Sequence, residues 1–132
     1  MNKVERMNRI NENAPMYINT FNNCENGYAI LQLPLEVMYK FRDYEDVTTY
    51  LKKEPDRADY NVLYADKFNN PINSDINVVL EGLFVKFNCD IPTDYFGTSL
   101  SVSDVVVLKI NNEVTAYYVD SFGFKKLENF EF

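Results

Sequence analysis

Three closely spaced serines followed by a carboxylate form the pattern in this sequence that most suggests catalysis: Ser99, Ser101, Ser103 and Asp104. A serine becomes a nucleophile only when a base takes its proton, and the chain contains no histidine to act as that base. The nearest lysine along the chain, Lys109, belongs to no motif that places it beside the serines. We therefore predict that the hydroxyls and Asp104 bond to the backbone where a loop enters a strand.

Aspartates of the same region are the second candidates for chemistry, since carboxylate oxygens suit Mg²⁺ or Ca²⁺ and paired carboxylates can hydrolyse glycosides. Asp94, Asp104 and Asp120 do not have the spacing of a calcium loop. A cryptic enzyme would require these carboxylates to converge in a pocket, and the sequence does not place them there. We predict no catalytic residue, no cofactor and no metal site.

Cysteine usage and the lack of histidine narrow the possible metal sites further. Cys24 and Cys89 lie far apart without the spacing of a zinc motif, so a zinc ion would need two carboxylates in addition. We expect two buried, reduced thiols. No apolar run approaches the roughly 20 residues of a membrane span, and the first 15 residues lack the apolar stretch of a signal peptide. These features predict a cytoplasmic protein without membrane contacts.

Composition predicts a single folded domain with an acidic surface. The chain has 132 residues, of which 46% are hydrophobic and 15% aromatic, enough to form one core. Thirteen basic residues against twenty acidic ones give a formal charge of -7, which disfavours direct binding to nucleic-acid phosphates. A basic protein partner suits this charge better.

The N-terminal half is predicted to combine a flexible arm, a hairpin and short helices. Residues 1–14 are polar and lack a hydrophobic period, so we interpret them as a flexible arm or a marginal helix before a single domain over residues 15–132. The runs MYINTF and YAILQL, separated by NNCENG, indicate a β-hairpin, and YAILQL is a possible edge strand. A short helix is expected after Pro34, with Leu35, Met38, Tyr39 and Phe41 buried.

The middle of the chain is predicted to hold a capped helical turn, a strand and a longer helix. Asp43 can cap a turn in which Val47, Tyr50 and Leu51 share a face. A strand is expected around residues 61–66, followed by a turn at residues 69–71. Ser74 is the expected N-cap of a helix with buried residues at helical spacing, in which Gly82 could mark a close approach to another backbone: Ile76, Val79, Leu80, Leu83 and Phe87.

The C-terminal third gives the strongest strand signal. DVVVLKI and EVTAYYV flank Asn111 and Asn112, and Asn tolerates the left-handed backbone that a two-residue hairpin turn requires. The first of these strands is apolar on both faces, which is typical of a central strand. Taken together, the patterns predict a single α+β domain in which an antiparallel sheet with a C-terminal β-hairpin packs against two or three helices.

Three blocks in this region also resemble a known family: GTSLSVSDVVVL, AYYVDSFGF and KKLENF. They are similar to the C-terminal signature of the YodL-like domain, found in small and multidomain proteins of Gram-positive bacteria and their mobile elements. The resemblance covers about the last 40 residues. It implies a small cytosolic protein of a bacterium, phage or conjugative element that acts by stoichiometric binding, and it brings no catalytic residues with it.

Acidic residues interleaved with tyrosines form the candidate protein-binding surface. A solvated helix face is the ordinary interpretation, and the interspersed Arg42, Lys52, Lys53 and Arg57 weaken an imitation of nucleic-acid phosphates. The functional interpretation is contact with a basic partner surface. The candidate residues are Asp43, Glu45, Asp46, Glu54, Asp56, Asp59, Tyr117 and Asp120.

Two functions from different classes follow from these patterns. The first is a non-catalytic inhibitor from a mobile element or phage that binds a host defence effector of the anti-CRISPR or antirestriction type, such as a Cas nuclease. The second is an accessory domain that binds a host cytoskeletal or regulatory protein. The protein is expected to be a monomer or a dimer, with dimerisation through an edge strand such as YAILQL.

Overall fold

An antiparallel β-sheet forms the centre of the protein in the computed structural model, which describes residues 1–69 and 72–132. Within that part of the chain the sheet has five strands in the order β2-β1-β3-β4-β5. Every neighbouring pair is antiparallel. The strand bounds are β1 Gly27–Gln32, β2 Asn61–Lys67, β3 Val105–Ile110, β4 Glu113–Val119 and β5 Phe124–Leu127.

The predicted C-terminal hairpin is confirmed. Strands β3 and β4 are joined by Asn111 and Asn112, which have φ angles of 50° and 67°. Both residues adopt the left-handed conformation that the tight turn requires. Strand β3 is also central, as its two apolar faces predict, because it pairs with β1 on one side and β4 on the other.

The first helix replaces the predicted strand MYINTF. Helix α1 spans Lys3–Asn23 and begins at Asn2, whose side chain accepts a hydrogen bond from the Glu5 amide at 2.8 Å. The predicted strand MYINTF is therefore wrong, and of the two alternatives for residues 1–14, an arm or a marginal helix, residues 3–14 are helical. Tyr17 and Phe21 are buried and four residues apart, so they line one helical face against β2 instead of alternating along a strand.

The strand YAILQL exists as part of β1, but its predicted position at an edge is wrong. Strand β1 pairs with β2 on one side and with β3 on the other. All six of its residues are buried. Its backbone groups are used within the sheet, so β1 offers no free edge for dimerisation.

Helix α2 is confirmed over Ile76–Cys89, with two corrections. Its N-cap is Asp75, whose carboxylate accepts a hydrogen bond from the Asn77 amide at 3.0 Å, and not Ser74. Gly82 is exposed and a side chain there would meet nothing within 4 Å, so it marks no close approach. The predicted turn at residues 69–71 includes Asn70 and Pro71, which lie outside the described residues.

The segment between β1 and β2 folds as a series of turns. The expected helix after Pro34 is wrong, because residues 35–41 form consecutive turns in which Tyr39 is buried while Leu35, Met38 and Phe41 are exposed. A π-helical turn follows at Asp46–Tyr50, closed by a hydrogen bond from the Leu51 amide to the Asp46 carbonyl at 2.9 Å. A 3₁₀ turn spans Arg57–Asp59. Of the face predicted from the Asp43 cap, Val47 is buried, Leu51 half-buried and Tyr50 exposed.

Aromatic side chains attach these elements to the two faces of the sheet. On one face, Phe87 of α2 lies against the rings of Tyr28 and Tyr64, with centroids 6.0 Å and 5.6 Å away. On the other, Tyr118 contacts the ring of Tyr44 at 5.7 Å. The α+β fold with an antiparallel sheet and a C-terminal hairpin is thus confirmed, and the segment between β1 and β2 covers the Tyr118 face.

Candidate functional site

Asp104 is a buried anchor rather than an accessible reactive group. Its side chain is fully buried at the start of β3, where Oδ2 accepts hydrogen bonds from the Ser101 amide at 2.8 Å and from Gln32 Nε2 at 3.0 Å. The other oxygen, Oδ1, is buried without a hydrogen-bond partner. The carboxylate therefore ties the loop before β3 to the end of β1.

Burial raises the pKa of Asp104 to about 7, because a charged carboxylate is poorly solvated in the protein interior. The hydrogen bonds from Ser101 and Gln32 and the charge of Lys40 act in the opposite direction and lower this pKa. Lys40, and not Lys109, is thus the lysine whose charge acts on Asp104. A sequence separation of 64 residues gives no hint of this relationship.

The predicted backbone role of the serine cluster is confirmed at Ser103. Its Oγ accepts a hydrogen bond from the Phe41 amide at 2.8 Å, and its carbonyl accepts one from the Tyr60 hydroxyl at 2.6 Å. Ser103 is fully buried and has a φ angle of 83°. These contacts hold the segment between β1 and β2 against the start of β3.

The three aspartates considered for metal binding occupy different environments. Asp104 is buried, Asp94 is exposed near Tyr17 and Tyr64, and Asp120 lies beside Tyr44. Over residues 1–69 and 72–132, no group of three or more Cys, Asp or Glu side chains is arranged to hold a metal ion.

Carboxylates from separate chain segments do converge around one tyrosine, Tyr44. The Tyr44 amide donates to Asp120 Oδ1 at 3.1 Å, and its hydroxyl donates to Glu54 at 3.4 Å. Asp43 accepts a hydrogen bond from the Ser121 hydroxyl at 3.4 Å. We call this surface the Tyr44 patch and define it as Asp43, Tyr44, Glu54, Asp120, Phe122 and Glu128.

The electrostatics of the Tyr44 patch are negative. The pKa of Tyr44 is raised, first by burial and then by the charges of Glu54 and Glu128. A cation also lies near the patch, since Lys125 Nζ is 5.6 Å from the centre of the Tyr44 ring. Phe122, next to Ser121, is 96% exposed and adds an apolar contact point. The patch therefore combines several carboxylates with an exposed aromatic ring.

The local fold explains why these residues meet. Asp43 Oδ1 accepts a hydrogen bond from the Asp46 amide at 2.8 Å, which confirms its predicted capping role and fixes the turn that carries Tyr44. The ring of Tyr118 packs edge-on against the ring of Tyr44, and the Tyr118 hydroxyl donates to the Arg42 carbonyl at 2.6 Å. Asp120 follows β4 directly, so the end of that strand brings it to Tyr44.

The remaining predicted site residues are placed apart from this cluster or are partly neutralised. Asp46 pairs with Arg42 at 3.8 Å, and Asp59 pairs with Lys53 at 3.7 Å. Asp56 accepts a hydrogen bond from the Ala58 amide at 2.9 Å, and Glu45 is exposed next to Tyr44.

Tyr117 lies outside the Tyr44 patch. It neighbours Tyr118 in β4, and successive side chains of a strand point to opposite faces of the sheet. Since Tyr118 faces Tyr44, Tyr117 faces away from it. The structure therefore brings together Asp43, Glu54 and Asp120 of the predicted set, and it adds Tyr44, Phe122 and Glu128, which the sequence did not single out as site residues.

These features define the class of the protein as a small α+β domain with a central antiparallel sheet and an acidic, tyrosine-centred surface. The chain belongs to the YodL-like domain family, because the model of that family matches residues 27–130. The match is longer than the C-terminal 40 residues that carry the three resembling blocks. It begins at β1 and leaves helix α1 outside.

Two other comparisons add no relatives. No curated protein sequence and no solved structure matches the chain. In the part of the chain that the structure describes, neither helix has the length and apolar character needed to span a membrane.

Proposed function

We propose that this protein is a non-catalytic inhibitor, encoded by a bacterial mobile element or phage, that binds a host defence effector in the cytoplasm. The effector is of the CRISPR or restriction type, and the Tyr44 patch is the surface that contacts it. One observation carries the proposal: Asp43 and Glu54 of the segment between β1 and β2 converge around Tyr44 with Asp120, which follows β4.

The charge of the patch fits the basic groove of a nucleic-acid enzyme. Among the described residues, the ion pairs are Arg42–Asp46 and Lys53–Asp59, so the carboxylates around Tyr44 are not neutralised by such pairs. Complementary charge speeds association and selects the partner. The overall charge of -7 also favours association with a positively charged partner. Phe122 supplies the exposed ring that a charged surface alone lacks, since aromatic anchors often dominate binding energy.

Inhibition by binding requires no chemistry from the chain. The serine and aspartate cluster at residues 99–104 is engaged in holding the backbone, as the contacts of Ser103 and Asp104 illustrate. Stoichiometric occupation of a partner surface is the mode of action that the family context and the negative surface favour.

The experiment is a DNA-cleavage assay with a purified Cas nuclease from a Gram-positive bacterium and, in parallel, a restriction endonuclease. The protein is added in increasing molar ratio, as wild type and as the triple variant Glu45→Arg, Glu54→Arg, Glu128→Arg, which reverses two carboxylates of the Tyr44 patch and the exposed Glu45 beside it. All three side chains are exposed, so the fold should tolerate the change. Wild type is expected to inhibit one effector at about equimolar ratio, and the triple variant to lose at least about tenfold in potency.

The matched control reverses three exposed carboxylates away from the patch, Glu12, Glu81 and Glu113. It changes the net charge by the same amount, so equal loss of inhibition in both variants would mean that net charge and not the Tyr44 patch is responsible. Full nuclease activity with excess wild-type protein would contradict the inhibitor. Pull-downs from lysates with and without the nuclease complete the test, since recovery of the same cytoskeletal or regulatory protein from both would favour the accessory domain.

A further inference from the structure

A second surface has the opposite character to the Tyr44 patch. A partly enclosed pocket of about 180 Å³ lies between the first half of helix α1, the end of β1, the turns at residues 33–41, the start of β2 and the loop at residues 96–98. Its floor is apolar and includes Met7, Ile10, Leu63 and Phe96. Helix α1 lies outside the region that matches the YodL-like family, so the pocket forms where this helix meets the domain.

Cations are part of the lining of this pocket. Lys3, Arg6 and Lys40 line it, and Glu36 is the carboxylate of the lining. The guanidinium of Arg9 lies 6.0 Å from the centre of the Phe96 ring and adds positive charge nearby. The protein as a whole has a formal charge of -7, so this pocket is a positively charged region on a negatively charged protein.

None of these cations forms an ion pair within residues 1–69 and 72–132, where the pairs are Arg42–Asp46 and Lys53–Asp59, although the charge of Lys40 interacts with that of the buried Asp104. Lys40 is half-buried and its Nζ donates to the Leu33 carbonyl at 2.6 Å, which holds the side chain at the pocket. An ammonium group has three donors, so two remain for another partner.

The wall of the pocket is preformed. Gln32 is buried, and its amide donates to the Thr98 carbonyl at 2.8 Å and accepts from the Thr98 amide at 3.1 Å. Both residues line the pocket. A binding site with a fixed wall loses less entropy when a ligand enters.

We propose that this pocket binds a small organic anion, with an aromatic body on the apolar floor and a carboxylate at the cations of the lining. The size fits, since an apolar cavity of about 150 Å³ accommodates benzene. The charge fits because Lys3, Arg6 and Lys40 offer donors where the carboxylate would lie. The inference does not depend on the inhibitor function, because it concerns a different surface of opposite charge.

The test is an NMR titration of the ¹⁵N-labelled full chain with three probes: benzoate, benzyl alcohol and acetate. Benzyl alcohol keeps the ring without the charge, and acetate keeps the charge without the ring. Benzoate is expected to shift the amides of Leu33, Gly97 and Thr98 with a millimolar Kd, and benzyl alcohol to bind about fivefold more weakly. Acetate is expected to give no saturable shift at these amides, and salt to weaken benzoate binding.

The variant Lys3→Met, Arg6→Met removes two cations of the lining and keeps an unbranched, apolar side chain at each position. Its expected effect is a loss of about fivefold in affinity for benzoate, with benzyl alcohol unchanged. The matched control is Lys67→Met, Lys126→Met, which removes the same charge from exposed positions away from the pocket. Absence of saturable benzoate shifts, equal binding of benzyl alcohol, or equal losses in the two double variants would overturn the proposal.

Discussion

Gln32 and Asp104 form a buried hydrogen bond in which the Gln32 amide Nε2 donates to Asp104 Oδ2 at 3.0 Å. The two residues are 72 positions apart and connect the end of β1 to the start of β3. Gln32 also lines the pocket beside the first half of helix α1, so its hydrogen bond to Asp104 helps to fix the wall of that pocket. A buried carboxylate at this junction makes the stability of the fold sensitive to pH.

The first prediction concerns Asp104→Asn and pH. Because the pKa of Asp104 is raised to about 7, the folded state binds its proton more tightly than the unfolded chain does. This group's contribution to stability is therefore fully present below its unfolded pKa, near 4, and is lost as pH rises to 7 and above. Asn keeps an acceptor for Ser101 and Gln32 and cannot ionise. Relative to wild type, the variant should gain about 2 to 4 kcal/mol between pH 5 and pH 8.

Urea unfolding at both pH values measures this difference. Glu81→Gln, at an exposed position on α2, serves as the control and should change with pH as wild type does. Parallel pH dependence of wild type and Asp104→Asn would show that Asp104 does not titrate differently in the two states.

The second prediction concerns Lys109, which closes the C-terminal end of helix α1. Its Nζ donates to the carbonyls of Phe21 at 2.8 Å, Asn22 at 3.3 Å and Cys24 at 3.1 Å, and the side chain is buried. Lys109→Met keeps the apolar stem but leaves three carbonyls without this donor. We expect a loss of about 2 to 4 kcal/mol in unfolding free energy and faster amide exchange in the last turn of α1.

Lys126→Met is the matched control for Lys109. Lys126 is exposed in β5, so its replacement should change the unfolding free energy by less than about 0.5 kcal/mol. If Lys109→Met and Lys126→Met had equal unfolding free energies, the hydrogen bonds of Lys109 would stabilise the fold no more than water bound to the same carbonyls does.

The third prediction pairs two glycines with opposite outcomes. A Cβ at Gly27 would lie 2.6 Å from Cys24 Sγ and 2.7 Å from the Asp66 carbonyl oxygen, so Gly27→Ala should cost about 1 to 3 kcal/mol. A Cβ at Gly82 meets nothing within 4 Å, and Gly82→Ala should raise the stability of α2 by about 0.5 to 1 kcal/mol. Thermal unfolding of both variants measures whether stability falls in Gly27→Ala and rises in Gly82→Ala. A loss of stability in Gly82→Ala would contradict the open space around Gly82.

The fourth prediction concerns the thiols, which were expected to be buried. Cys89 is exposed and Cys24 is half-buried, and both are free. The Cys24 thiol also donates to the Phe21 carbonyl at 3.3 Å. Native protein should therefore react with a disulfide reagent at Cys89 at least about tenfold faster than at Cys24, because access to the sulfur limits the reaction. Kinetics of Cys89→Ser and Cys24→Ser measure each thiol alone, and similar rates would contradict the difference in access.

Some of the fold is determined by short-range patterns in the sequence. The turn at Asn111 and Asn112 follows from backbone preference, and the central position of β3 from its two apolar faces. Helix α2 follows from the regular spacing of Leu80, Leu83 and Phe87. In each case the residues that decide the structure are neighbours along the chain.

Tertiary packing decided the rest. Tyr17 and Phe21 fit either a strand or a helix, and contact with β2 selects the helix, because burial of both rings on one face outweighs weak local preference. The candidate surface required the same kind of information. Sequence alone indicated acidic residues and the Asp43 cap, but the meeting of Asp43, Glu54 and Asp120 at Tyr44 depends on the end of β4 reaching a turn 76 residues earlier. Spacing along a chain reports local periodicity, whereas contacts between distant segments arise only when the core is packed.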